Sequence, residues 1–107
     1  MTDTEINLAI AKIEYPDNEV GSLDNGSAFI VYHPTSGVRN YIKYWADIGP
    51  IIEREGISVL TDISNLWAAY SEVIEDAAGD YWIKNVQKAE TPTKAAALCY
   101  LKMKGGE

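Results

Sequence analysis

The stretch Thr91 to Gly105 constrains this chain more than any other. Thr91 is suited to accept from the first-turn N–H groups, and Pro92 falls where its missing N–H costs nothing. Gly105 can adopt the left-handed conformation that closes a helix. Between these signals Ala95, Ala96, Cys99, Tyr100 and Met103 form one wide apolar face, with Leu98 and Leu101 on the other side. Only Lys94, Lys102 and Lys104 mark water. A helix apolar over so much of its circumference must be covered by more than one neighbour, either from its own chain or from a second copy. Leu98→Ala is accordingly expected to cost as much as truncating a buried leucine.

That cover has to come from a short chain. At 107 residues the sequence is read as one domain, residues 1–107. A chain of this length buries about two-thirds of its unfolded surface in a single core. With 47% hydrophobic and 10% aromatic residues it is a folding sequence rather than a disordered one. No apolar run approaches the roughly 18 residues of a membrane span. The opening MTDTEINLAI is acidic where a signal peptide would be basic, so the expected location is the cytoplasm.

In chain order, Thr2-Asp3-Thr4-Glu5 matches a capping box. Ile6, Ala9, Ile10 and Ile13 follow at helical spacing, and the helix ends before Pro16. Residues 16 to 27 read as polar and turn-rich. Residues 28 to 33 are β-branched and aromatic, a strand; residues 34 to 37 are a turn, and residues 38 to 43 the returning strand of a hairpin. A second helix is expected from Trp45 or Asp47 to Glu55. The later start is favoured because it keeps Pro50 in the first turn. Ile48, Ile51 and Ile52 form its buried stripe, and Gly56 caps it. Ile57 to Leu60 is a buried strand, Asp62 to Asn65 a turn, and residues 81 to 86 a clear strand. Residues 66 to 78 fit helical spacing by pattern, but the strand at 81 to 86 needs a partner.

Three segments together resemble the NinX-like proteins of tailed bacteriophages and prophages: Asp3-Thr4-Glu5-Ile6-Asn7; Asp47-Ile48-Gly49-Pro50-Ile51-Ile52 leading into Gly56-Ile57-Ser58; and Thr91-Pro92-Thr93-Lys94-Ala95-Ala96 with the apolar run to Met103. Tyr15-Pro16-Asp17 is similar to the turn of those proteins. The chain departs from them at Gly49, where tryptophan is common, at Thr91 and Lys94, where asparagine and arginine are usual, and in a longer loop near residues 72 to 80. The resemblance implies phage origin and a small sheet packed with helices, and it carries no functional site. It favours strand for residues 66 to 72. The expected fold is α+β, a layered sandwich of about five antiparallel strands and three helices.

Sixteen acidic residues against nine basic ones give a net charge of −7. Direct binding of nucleic acid is therefore not expected, because it rests on a basic face that releases counterions. There is no G-x-S-x-G, Walker loop, G-x-G-x-x-G or pair of metal-ligand histidines. Cys99 reads as a small buried apolar residue. No catalytic residue, cofactor or metal site is assigned, and the chain is not read as an enzyme. Trp67, Tyr70 and Trp82 fall on a second hairpin beside Glu72, Glu75, Asp76 and Asp80. An apolar centre with a charged rim suits protein recognition, so this hairpin is the candidate surface for a host or phage protein, with Trp67 or Trp82 as anchor. The alternatives are a protein that sequesters a small molecule or nucleotide and an acidic nucleic-acid mimic; a second copy of the chain is also a candidate partner.

Overall fold

The computed structural model describes residues 1–61 and 64–105. Its first helix, α1, spans Asp3–Glu14. Both bonds of the capping box are made: Glu5 N–H donates to Thr2 Oγ1 at 3.2 Å and Thr2 N–H to Glu5 Oε1 at 2.9 Å. Ile6, Ile10 and Ala11 are buried as the spacing requires, and so is Asn7, a polar exception.

Helix α2 spans Trp45–Glu55 and takes the earlier of the two expected starts, so Pro50 lies inside it rather than in its first turn. The Ile48 N–H still bonds to Tyr44, and burial of Ile48 and Ile51 holds the helix across the bond that proline cannot make. Gly56 ends it in the left-handed region at φ 68°, and Ile57 folds back so that its N–H reaches the Ile52 carbonyl. Helix α3 spans Pro92–Met103, with Thr91 accepting from the Lys94 N–H and Gly105 at φ 74° just past its end.

The strands correct several boundaries. Strand β1, Glu19–Ser22, lies in the stretch expected to be polar and turn-rich; it pairs antiparallel with β2, Ala28–Tyr32, which pairs with β3, Thr35–Arg39. The returning strand therefore begins at Thr35, not Val38, and the connection is the two residues His33 and Pro34, joined by a cis peptide bond. Gly37 is required here, since a Cβ would fall 2.6 Å from the Tyr32 ring laid across it.

A second three-stranded antiparallel sheet holds β4, Ser58–Thr61, β5, Trp67–Tyr70, and the last strand, β8, Gln87–Ala89. The remaining two strands, β6, Glu72–Glu75, and β7, Tyr81–Lys84, form a separate ribbon. The expected turn at 62 to 65 lies partly outside the described residues. The fold class is α+β, but the described residues form eight strands in three antiparallel sheets instead of about five in one.

Helix α3 is the centre of the packing. It lies against β4, β5 and β8 on one side and against α1 and α2 on the other, while α1 also packs on β1 and β2. Ala95, Ala96, Ala97, Cys99, Tyr100 and Leu101 are all essentially buried, so the helix is covered from both sides by its own chain. The alanines let its neighbours approach closely. Leu98 is only partly buried, at the edge of a shallow cleft with Met1, Gln87 and Leu101, which corrects its expected place in the core.

Candidate interaction surface

Strands β5 and β6 follow one another, as do β7 and β8, and together they make one long ribbon. The pairing of Trp67, Ala68 and Ala69 with Ala89, Lys88 and Gln87 resumes as Glu72 with Lys84 through Glu75 with Tyr81, without a shift of register. Between the halves the Ser71 N–H donates to the Lys84 carbonyl, so the regular ladder breaks there while the two strands keep equal numbers of residues. Asn85 takes a positive φ of 58° and its side-chain amide donates to Ser71 Oγ at 2.8 Å. This break divides the ribbon in two. The half below it is sheet, packed on α3, and the half beyond it is an arm.

The arm leaves the body of the protein. The molecule measures 55 × 28 × 21 Å, and its radius of gyration of 14.9 Å exceeds the roughly 13 Å of a compact chain of this length. Exposure reaches 69% at Tyr81, 61% at Trp82, 52% at Val73 and 50% at Ile83. Because side chains alternate along a strand, Val73, Ile83 and Tyr81 share one face of the arm, and Ile74 and Trp82 share the other.

Asp76 builds the tip. Its carbonyl accepts from Gly79, which sits at φ 84°; its carboxylate accepts from the Ala78 and Asp80 N–H groups and from the Trp82 indole at 2.9 Å. The indole bond, followed by the backbone bonds, holds the Asp76 carboxyl below the usual aspartate range. One side chain thus closes the turn and orients the exposed tryptophan.

The seven residues expected to form the surface are divided by this break in the ladder. Trp82, Asp76, Glu75, Asp80 and Glu72 lie on the arm, where Glu72 pairs with Lys84 at 3.3 Å. Trp67 and Tyr70 lie on β5 below it; Trp67 packs against the core, on the ribbon face opposite to that of Trp82. Residues 72 to 80, expected to be a loop, are instead a strand and a tight turn. Val73 and Ile74 escape a reading of residues 72 to 80 as an acidic loop. Their β-branched pairing with Ile83 and Trp82 is the signal that finds them.

A polar seam joins the helices elsewhere. The Asn7 amide donates to the Gly26 carbonyl and to Asn40 Oδ1, and its oxygen accepts from the Tyr41 N–H at 2.7 Å. The Asn40 N–H donates to Asp47 at 2.8 Å. A cleft of about 430 Å³ lies between α1, β3 and α2, walled by Glu14, Tyr15, Arg39, Tyr41, Asp47 and Arg54. Arg54 donates to both oxygens of Glu14 at 2.9 and 2.8 Å, and the Tyr100 hydroxyl donates to the same carboxylate. These bonds keep Glu14 ionised, with its pKa below the usual carboxylate range. Cys99 is buried, and burial pushes its thiol up to about 11. Among the described residues no group of histidine, cysteine and carboxylate side chains is placed to hold a metal ion. No helix formed by them is long and apolar enough to cross a membrane.

A family model described as Bacteriophage P22, NinX matches residues 1–104 of the chain. The protein therefore belongs to this phage-encoded family. No curated protein matches it.

Proposed function

We propose that this NinX-family protein acts by non-catalytic binding to a host or phage protein, and that the β6–β7 arm is its working surface. The observation supporting this reading is the tip geometry, in which Asp76 holds Trp82 in one orientation while its ring stands 61% exposed. An aromatic ring in water has a hydrophobic cost that a partner can relieve, and a pre-oriented ring loses little entropy on binding. The balance of −7 accords with a protein partner rather than direct contact with nucleic acid. The test replaces Trp82, and separately Val73 with Ile83, by polar residues. Melting temperatures close to the parent with lost capture of a partner from infected-cell lysate would bear the reading out; unchanged capture would refute it.

A second reading is that the protein sequesters a small molecule. It is supported by the cleft between α1, β3 and α2, where two guanidinium groups, two carboxylates and two phenols meet. Its test is mass spectrometry of small molecules released from protein purified out of the host, compared for the parent and an Arg39→Ala variant.

A further inference from the structure

We propose that the arm's occupant is an extended, lysine- or arginine-bearing segment of a partner protein, added as a third strand along the outer edge of β7. This rests on the reading of the arm as the working surface and names the chemistry of its partner.

Three observations carry it. The first is the free edge. Strands β6 and β7 pair only with each other among the described residues, so each leaves one row of backbone groups unpaired. The Asp76 N–H bonds to the Asp80 carbonyl, which makes that pair a hydrogen-bonded one. Such pairs alternate along an antiparallel ladder, so at Tyr81 and Ile83 the N–H and C=O groups point outward. The four residues of β7 span about 14 Å, room for a strand of four or five residues.

The second is charge. Residues 72 to 84 carry four carboxylates and one ammonium, a net of −3 on a short arm. Asp76 is committed to the turn and Glu72 to Lys84. Glu75 and Asp80 are exposed and lie on either side of the tip beside Tyr81. A strand with basic side chains would meet them with opposite charge. A second copy of the arm would bring like charges together, which disfavours pairing between arms of two copies.

The third is the apolar content of both faces. An added strand places alternate side chains on opposite faces, so its apolar residues would lie beside Tyr81 and Ile83 on one face or Trp82 on the other, whichever its register selects. Exposed edges without a partner are normally short, bulged or protected by lysine. This one is short, and its single lysine, Lys84, is paired.

The test uses the full-length protein and three synthetic peptides of equal length: alternating valine and lysine, alternating valine and glutamate, and a valine–lysine peptide with prolines at alternate positions. Binding is followed by backbone amide NMR. The valine–lysine peptide is expected to bind, shifting the Tyr81 and Ile83 amides most, and to weaken at least tenfold between about 0.05 and 0.5 M salt. The glutamate and proline peptides should not bind. Ile83→Pro removes one outward N–H without touching the ladder, and it should abolish binding while arm resonances remain dispersed. Equal binding of the glutamate peptide, or undiminished binding by Ile83→Pro, would overturn strand addition. An arm-dependent dimer in sedimentation would overturn it in favour of a second copy. If no peptide binds but capture of a partner still requires Trp82, strand addition fails and the arm survives as a surface. If capture is indifferent to the arm, both fail.

Discussion

Asn7 shows how one side chain can hold a fold without adding to its apolar core. It is fully buried, and its amide joins the turn at Gly26, the side chain of Asn40 and the backbone of Tyr41. Buried polar groups are costly when left without partners, so Asn7→Ala should lose about 2 to 4 kcal/mol, read from urea midpoints. Asn7→Leu would recover volume but no partner, and should be no better. Glu14 acts at the surface end of the same helix. Its pKa is lowered first by the Arg54 hydrogen bonds, against a partial desolvation that raises it, with Tyr100 assisting. A lowered carboxylate contributes stability above its unfolded pKa and loses it as pH falls through the folded value. Glu14→Gln should therefore be less stable than the parent at pH 7, with the difference shrinking below about pH 4. Urea denaturation at several pH values checks this; a difference that stayed constant with pH would contradict it.

At the scale of elements, α3 organises the rest because it is small and apolar nearly all round. Leu101 is buried against its neighbours, whereas Leu98 faces a shallow cleft. Leu101→Ala should thus cost about 2 to 5 kcal/mol and Leu98→Ala clearly less. Equal losses would mean that Leu98 is packed more tightly than its exposure indicates. The long ribbon behaves differently along its length. Below the break at Ser71 and Asn85 it is part of a sheet held on α3; above it, the strands are held by each other and by Asp76 at the turn. A two-stranded ribbon is marginal alone, so the arm borrows its order from the sheet it extends.

For the whole molecule this division predicts that the arm can be removed. Replacing residues 72–84 by a two-residue Asn-Gly turn keeps the register of the remaining strands, and no residue of the arm belongs to the buried core. The shortened protein should melt within a few degrees of the parent while its radius of gyration in solution falls. A collapse of the melting transition would show that the arm contributes to the core. The helical network of Glu14 with Arg54 and Tyr100, and of Lys104 with Glu55, ties three helices together and should be untouched by the excision.

What the sequence determined by itself was local. Thr2 with Glu5, Thr91 with Pro92, and Gly56 and Gly105 marked helix ends correctly because caps act within one turn of chain. The all-round apolar pattern of α3 required cover on two sides, and both sides were found occupied. Where several local readings were of similar energy, only tertiary contacts decided. Pro50 sits inside α2 because Ile48 and Ile51 are buried there. Residues 72 to 75 are a strand, not helix or loop, because Val73 and Ile74 meet Ile83 and Trp82 across a ladder whose partner lies several residues away. Trp67 and Trp82 look alike in the sequence, yet one packs on the core and the other stands in water. A face of a ribbon has no inside until tertiary packing sets α3 against one half of it and leaves the other half exposed.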